Sequence, residues 1–139
     1  MWEINYVAIV AATAAQFLFG AIWYTFLFGK LWGRMHGFDK LPKDVQGKMM
    51  KSMGPIYGVQ VLVTVLTSFV LWIFIANLPR DWNAYGMAFF FWLGFVLPAL
   101  VSAVIFGGTE PKWIVKKIAV QSGEALVRMM VAVAVLKFF

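Results

Sequence analysis

Four stretches of this chain, Ile4–Leu27, Ile56–Leu78, Ala84–Phe106 and Ile114–Leu136, are each long enough to cross a bilayer as a helix. A hydrocarbon core about 30 Å thick takes about 20 residues at helical rise. The first three stretches hold no charged residue. No backbone amide can be left bare in hydrocarbon, so helices are the expected form. The alternating segments of about ten residues that a transmembrane barrel needs are absent. The expected fold is all-α, an integral membrane four-helix bundle forming a single domain over residues 1–139. Composition agrees, with 63% of residues apolar and 13% charged, where a soluble domain has about half and about a quarter. Residues 1–3 hold no Lys or Arg, and the first run is too long for a signal-peptide core, so it is expected to stay as a span.

The net charge of +6 is placed at the ends of the apolar runs, which points to orientation in a bilayer and not to nucleic acid. The connection 28–53 carries Lys30, Arg34, Lys40, Lys43, Lys48 and Lys51, and the third connection adds Lys112, Lys116 and Lys117. The other side has only Arg80 and Lys137, nine cations against two. Under the positive-inside rule, the first and third connections face the cytoplasm and both termini face away from it. Trp2, Trp32, Trp82 and Trp113 fall near span ends, where indole rings anchor at headgroups. Asn77, Pro79, Asp81 and Asn83 mark a tight turn between spans two and three.

Leu31, Trp32, Met35 and Phe38 recur at helical spacing beside Lys30 and Arg34. That pattern predicts a short amphipathic helix lying in the interface after the first span. Pro42 is expected to open a second helical piece through Met53, ended by Gly54-Pro55. Lys30, Trp32, Arg34, Lys112 and Trp113 are the expected lipid-interface residues, with membrane lipids as partners.

Polar side chains within the spans are expected to face the bundle interior. In span four, Lys117, Gln121, Glu124 and Arg128 share about a 60° arc of the helix. Glu124 and Arg128, four residues apart near mid-span, can meet on one face. Span two has a similar stripe of Tyr57, Gln60, Thr64, Thr67 and Ser68; span one has Thr13, Gln16, Gly20, Trp23 and Tyr24. These stripes predict a polar centre in which Gln16, Gln60 and Gln121 approach the Glu124–Arg128 pair, with Trp23, Tyr24 and Tyr57 as aromatic walls. In span three, Gly94 and Pro98 predict a kink near Gly94. A weak internal echo links Phe28-Gly29, followed by Lys30 and Trp32, with Phe106-Gly107, followed by Lys112 and Trp113.

Several chemistries are excluded or disfavoured. There are no cysteines, hence no disulfide and no thiolate chemistry. His36 has only Asp39 nearby, so no metal site is expected there. Phosphate loops, nucleophile elbows and metalloprotease helices are missing. Glu124 is the only carboxylate well inside a span, so no carboxylate dyad can form within one chain. No catalytic residue, metal or cofactor is expected, and an enzyme is the third-ranked reading.

Ile4-Asn5-Tyr6 and Gly20-Ala21-Ile22-Trp23-Tyr24, continuing to Phe28-Gly29-Lys30-Leu31-Trp32, resemble the signature of the uncharacterised bacterial membrane family called domain of unknown function 1761. The Gly94-Phe95 portion of span three and the Gly123-centred fourth span are similar to it as well. Thr25-Phe26 departs from the Ser-Pro expected in family members. The resemblance covers nearly the whole chain and implies a four-helix protein of the bacterial inner (cytoplasmic) membrane. It brings no activity and no catalytic residues.

The polar centre admits two readings of function. The first is binding or transport of a small ligand or ion there, in a homo-oligomer, with Glu124 as the proton- or cation-responsive group and Arg128 as its partner or an anion anchor. The second is a structural or accessory membrane protein whose polar stripe only packs helices or holds a larger partner.

Overall fold

In a computed structural model, residues 3–139 are described; Trp2, an expected anchor, lies outside them. The described chain is α-helical, with four helices long and apolar enough to cross a membrane: Tyr6–Leu27, Gly54–Ala76, Ala84–Phe106 and Pro111–Phe138. The first is α1 (Tyr6–Ile22) continued by a π turn, Trp23–Leu27. Two short helices come next, α2 (Gly29–Met35) and α3 (Lys43–Ser52), then the long α4 (Gly54–Ala76). The third span is α5 (Ala84–Phe91), a π turn (Trp92–Val96) and α6 (Leu97–Phe106), and α7 (Ile114–Phe138) ends the chain.

Local chemistry explains the boundaries. Asn5 caps α1 by accepting from the Ala8 amide at 3.0 Å, and its side-chain N–H reaches the Phe139 carbonyl at 3.4 Å, tying the two ends of the chain together. Asn83 caps α5 by accepting from the amides of Tyr85 and Gly86. Gly37, at φ 70°, supplies the left-handed residue that stops the first connecting helix, so Phe38 falls on a separate 3-10 turn and not on α2. Gln46 of α3 then donates to the carbonyls of Phe38 and Leu41, fastening that turn to the helix after it. At the end of α6, a Cβ on Gly107 would run into the Ala103 carbonyl.

Around Gly94, where a kink is expected, the helix makes a second π turn. Pro98 has no N–H to offer the Gly94 carbonyl, and the Leu97 amide bonds instead to Trp92 five residues back. The first span carries a comparable turn, closed by Phe28 N–H to the Trp23 carbonyl at 2.9 Å, with no proline to announce it.

α7 is the central helix. It packs against α1, α4 and the third span, while α1 also lies against α4. Small residues permit the close approach of α1 and α7: Ala8 and Ala12 on one, Ala125 and Ala132 on the other, all buried. Helix association in lipid depends on such van der Waals fit, because acyl chains are as apolar as the side chains. The apolar core (Ala8, Ile9, Ala12, Leu71, Trp72, Ala84, Ala88, Met129, Ala132, Val133, Leu136) gathers toward the end that bears both termini. Toward the basic end the bundle loosens, and every residue of α4 from 54 to 63 is exposed. Phe26, Phe106 and Val115 are more than three-quarters exposed, as expected where lipid and not water surrounds the helices.

Ala12 and Ala132 are both fully buried. Replacing either with Leu should destabilise by about 1–3 kcal/mol through overpacking, read as a lower unfolding midpoint in detergent. Val10→Leu, on the exposed face of α1, should leave the midpoint unchanged.

Candidate functional site

The charged pair of span four lies at the middle of the candidate site. Glu124 stands ten residues into α7, roughly 15 Å along it at 1.5 Å per residue, and is 3% exposed. Arg128, one turn further, brings Nε to 3.6 Å from Glu124 Oε1. That separation makes an ion pair but is too long for a hydrogen bond. Neither Glu124 Oε1 nor Arg128 Nε has a hydrogen-bond partner among the described residues. The two side chains differ in access, 28% for Arg128 against 4% for Glu124.

Gly20 of α1 makes room for the carboxylate. A Cβ there would stand 3.3 Å from Glu124 Oε1, tighter than ordinary contact. Tyr24, one turn further along the span, is within electrostatic reach of both Glu124 and Arg128. One turn the other way along α1, Gln16 is 1% exposed. Its amide donates to Ser68 Oγ at 2.7 Å and to the Ala12 carbonyl at 3.3 Å. Ser68 in turn lies 3.0 Å from Thr13 Oγ1 and donates to the Thr64 carbonyl. Gln16 therefore joins α1 to α4, and its own Oε1 is buried without a partner.

Two indoles hold the turn of α7 that precedes Glu124. Trp23 Nε1 donates to the Val120 carbonyl at 3.1 Å, and Trp92 Nε1 donates to the Ser122 carbonyl at 2.9 Å. Residues 120 and 122 point about 160° apart around a helix, so the two rings grip α7 from opposite sides. The Trp23 ring also covers Gly123, where a Cβ would meet it at 3.5 Å. Each tryptophan is the first residue of a π turn. Such turns shift the register of the helix beyond them and recur at functional sites.

A family described as Protein of unknown function (DUF1761) matches residues 7–137. The chain belongs to this family. No curated protein and no solved structure matches it. Family membership accords with the four-helix architecture and assigns no activity to any residue.

The DUF1761 chain brings together some of the expected site residues and leaves others apart. Glu124, Arg128, Tyr24 and Trp23 gather around one level of α7, and Gln121 is half-buried on the same face of that helix. Gln60 is exposed, and its amide turns to Thr64 Oγ1 of its own helix at 3.3 Å. Tyr57 is 47% exposed and meets Phe17 edge-on. Helical periodicity places both on one face of α4, but residues 54–63 of that helix are exposed, and only the Tyr57 ring is seen to reach α1. Trp92 belongs to no polar stripe, and sequence reasoning missed it. A tryptophan well inside an apolar run is the signal that could have found it, since a buried indole N–H needs an acceptor.

Trp92→Phe keeps the ring and deletes the donor to Ser122, and should cost about 0.5–1.5 kcal/mol. The unfolding midpoint in detergent reads this, and Trp82→Phe, an exposed turn position, should show no loss.

Proposed function

We propose that the chain binds a small anionic ligand together with one proton at the Glu124–Arg128 pair, as a homo-oligomer in a bacterial inner membrane. The observation that carries the reading is the pair itself at mid-span, with Glu124 buried and Arg128 partly exposed, neutral as a unit, and hydrogen-bonded through neither facing atom. An isolated charge at the bilayer centre costs about 2.5–3.5 kcal/mol on insertion scales, so an exchange that keeps the site neutral is favoured. A cation alone would leave a net positive site, and an anion alone a net negative one. An anion on Arg128 with a proton on Glu124 restores neutrality. Arg128 is the more accessible partner, and Lys117 and Gln121 continue its stripe toward the basic end, the expected cytoplasmic side.

A second reading, a structural pair that sets the register of α7 on α1, draws on the close fit of Glu124 against Gly20. Replacing a buried pair with apolar residues of similar volume is often neutral for stability, which separates the two. The purified protein should be stabilised by small carboxylates (acetate, lactate, benzoate), with apparent affinity rising about tenfold per unit fall in pH while one proton is taken up per anion. Glu124→Gln should remove the pH slope, and Arg128→Met should remove binding. If no carboxylate stabilises the protein, or if Glu124→Leu with Arg128→Met binds with the parent's slope, the anion reading is wrong.

Orientation has its own test, made simple by the absence of native cysteines. A cysteine at Lys48 should react with an impermeant maleimide only from the cytoplasmic side, and one at Asn83 only from the opposite side.

A further inference from the structure

The basic end holds a second cluster, separate from the Glu124 centre. Residues 28–53 and 107–117 contain nine Lys and Arg against Asp39, Asp44 and Glu110, so this end carries the whole net charge of +6. At the other end Glu3 and Asp81 cancel Arg80 and Lys137, and the mid-span pair cancels itself.

Within this cluster, α2 is brought against the start of α7. Lys117 Nζ lies 5.8 Å from the centroid of the Trp32 ring, and Lys116 Nζ lies 5.4 Å from that of Trp113. Trp32 makes ring contacts with Tyr24 at 4.8 Å and His36 at 4.4 Å. Lys30 and Arg34, one turn apart on α2, are exposed and point about 160° away from Trp32 around that helix. Lys112 is partnered by Glu110 at 3.4 Å. Among the described residues no carboxylate lies within ion-pair distance of Lys116, Lys117, Lys30 or Arg34. Lys116 and Lys117 also sit in the first turn of α7, where the helix dipole opposes cations and no acidic residue offsets them.

We propose that Lys116 and Lys117, with Trp32 of α2, form a binding site for the phosphate headgroup of an anionic phospholipid. The partner is set by charge and place. The cluster lies at the boundary of four apolar helices, so the anion that meets it there is a headgroup whose acyl chains run along the exposed apolar faces. Phe26, Leu27 and Val115, all exposed near this level, supply that acyl contact. Indoles suit the position because they tolerate both the acyl boundary and the charged layer. Each lysine near an anionic surface contributes about 1 kcal/mol, about fivefold in affinity.

The test compares phosphatidylglycerol with phosphatidylcholine added to the purified protein in detergent, read by unfolding midpoint and by lipid retained in native mass spectrometry. Phosphatidylglycerol should raise the midpoint and be retained, and phosphatidylcholine should do neither. Lys116→Gln with Lys117→Gln should weaken phosphatidylglycerol retention about 25-fold while the midpoint without lipid stays at the parent value. Inorganic phosphate at the same concentration should not reproduce the shift; if it does, the site takes a free anion and the lipid assignment falls. Equal response to the two lipids, or undiminished retention by the double variant, overturns the proposal. Should the double variant unfold, Lys116→Gln alone, at an exposed position, should weaken retention about fivefold. Glu124→Gln should keep the full lipid response, so this site and the mid-span pair fail or stand independently.

Discussion

The approach of α1 to α7 sets the conditions for everything else in the molecule. Between two helices in lipid there is no hydrophobic drive, and contact is gained only by fit. Ala8 and Ala12 on α1 and Ala125 and Ala132 on α7 allow the backbones to come close. That same proximity, continued to Gly20, places α1 directly over Glu124. Small residues thus do two things along one seam. Toward the termini they make a dry apolar core, and at mid-span they leave just enough space for a carboxylate. A larger residue at Gly20 would press on Glu124 Oε1, so packing and polarity are coupled at that level.

The two tryptophan contacts extend this coupling to the third span. Backbone carbonyls inside α7 already accept bonds from their own helix, yet each retains a second lone pair. Trp23 and Trp92 use those lone pairs at Val120 and Ser122. The π turns that begin at these residues are the local adjustment accompanying their positions, and in the third span Pro98 supplies the cause. α7 is consequently fixed in rotation immediately before Glu124, which keeps the carboxylate on Gly20 and leaves Arg128 toward the more open side.

Length and charge made the spans and the amphipathic connection legible from the residues alone, because bilayer thickness imposes one number on every crossing helix. The Glu124–Arg128 pair was equally readable, since a four-residue spacing needs no knowledge of other helices. Gln60 and Tyr57 show where that reasoning stops. Periodicity names a face of α4 but carries no information on tilt, and the first ten residues of α4 are all exposed. Gln16 does face the interior, yet its partner is Ser68, a shorter polar residue whose reach to α1 depends on how closely two helices cross. The π turn at Trp23 has no proline to signal it and is visible only in the folded chain.

Trp32 gives the two ends of the polar stripe a physical connection. Its ring centroid lies 5.8 Å from Lys117 Nζ and 4.8 Å from the Tyr24 ring, and Tyr24 is within electrostatic reach of Glu124 and Arg128. Tyr24 rests against that ring within the first π turn, a feature frequent at functional sites. The basic cluster and the mid-span pair are distinct in chemistry and in place, and α7 is held between them by its two indole contacts.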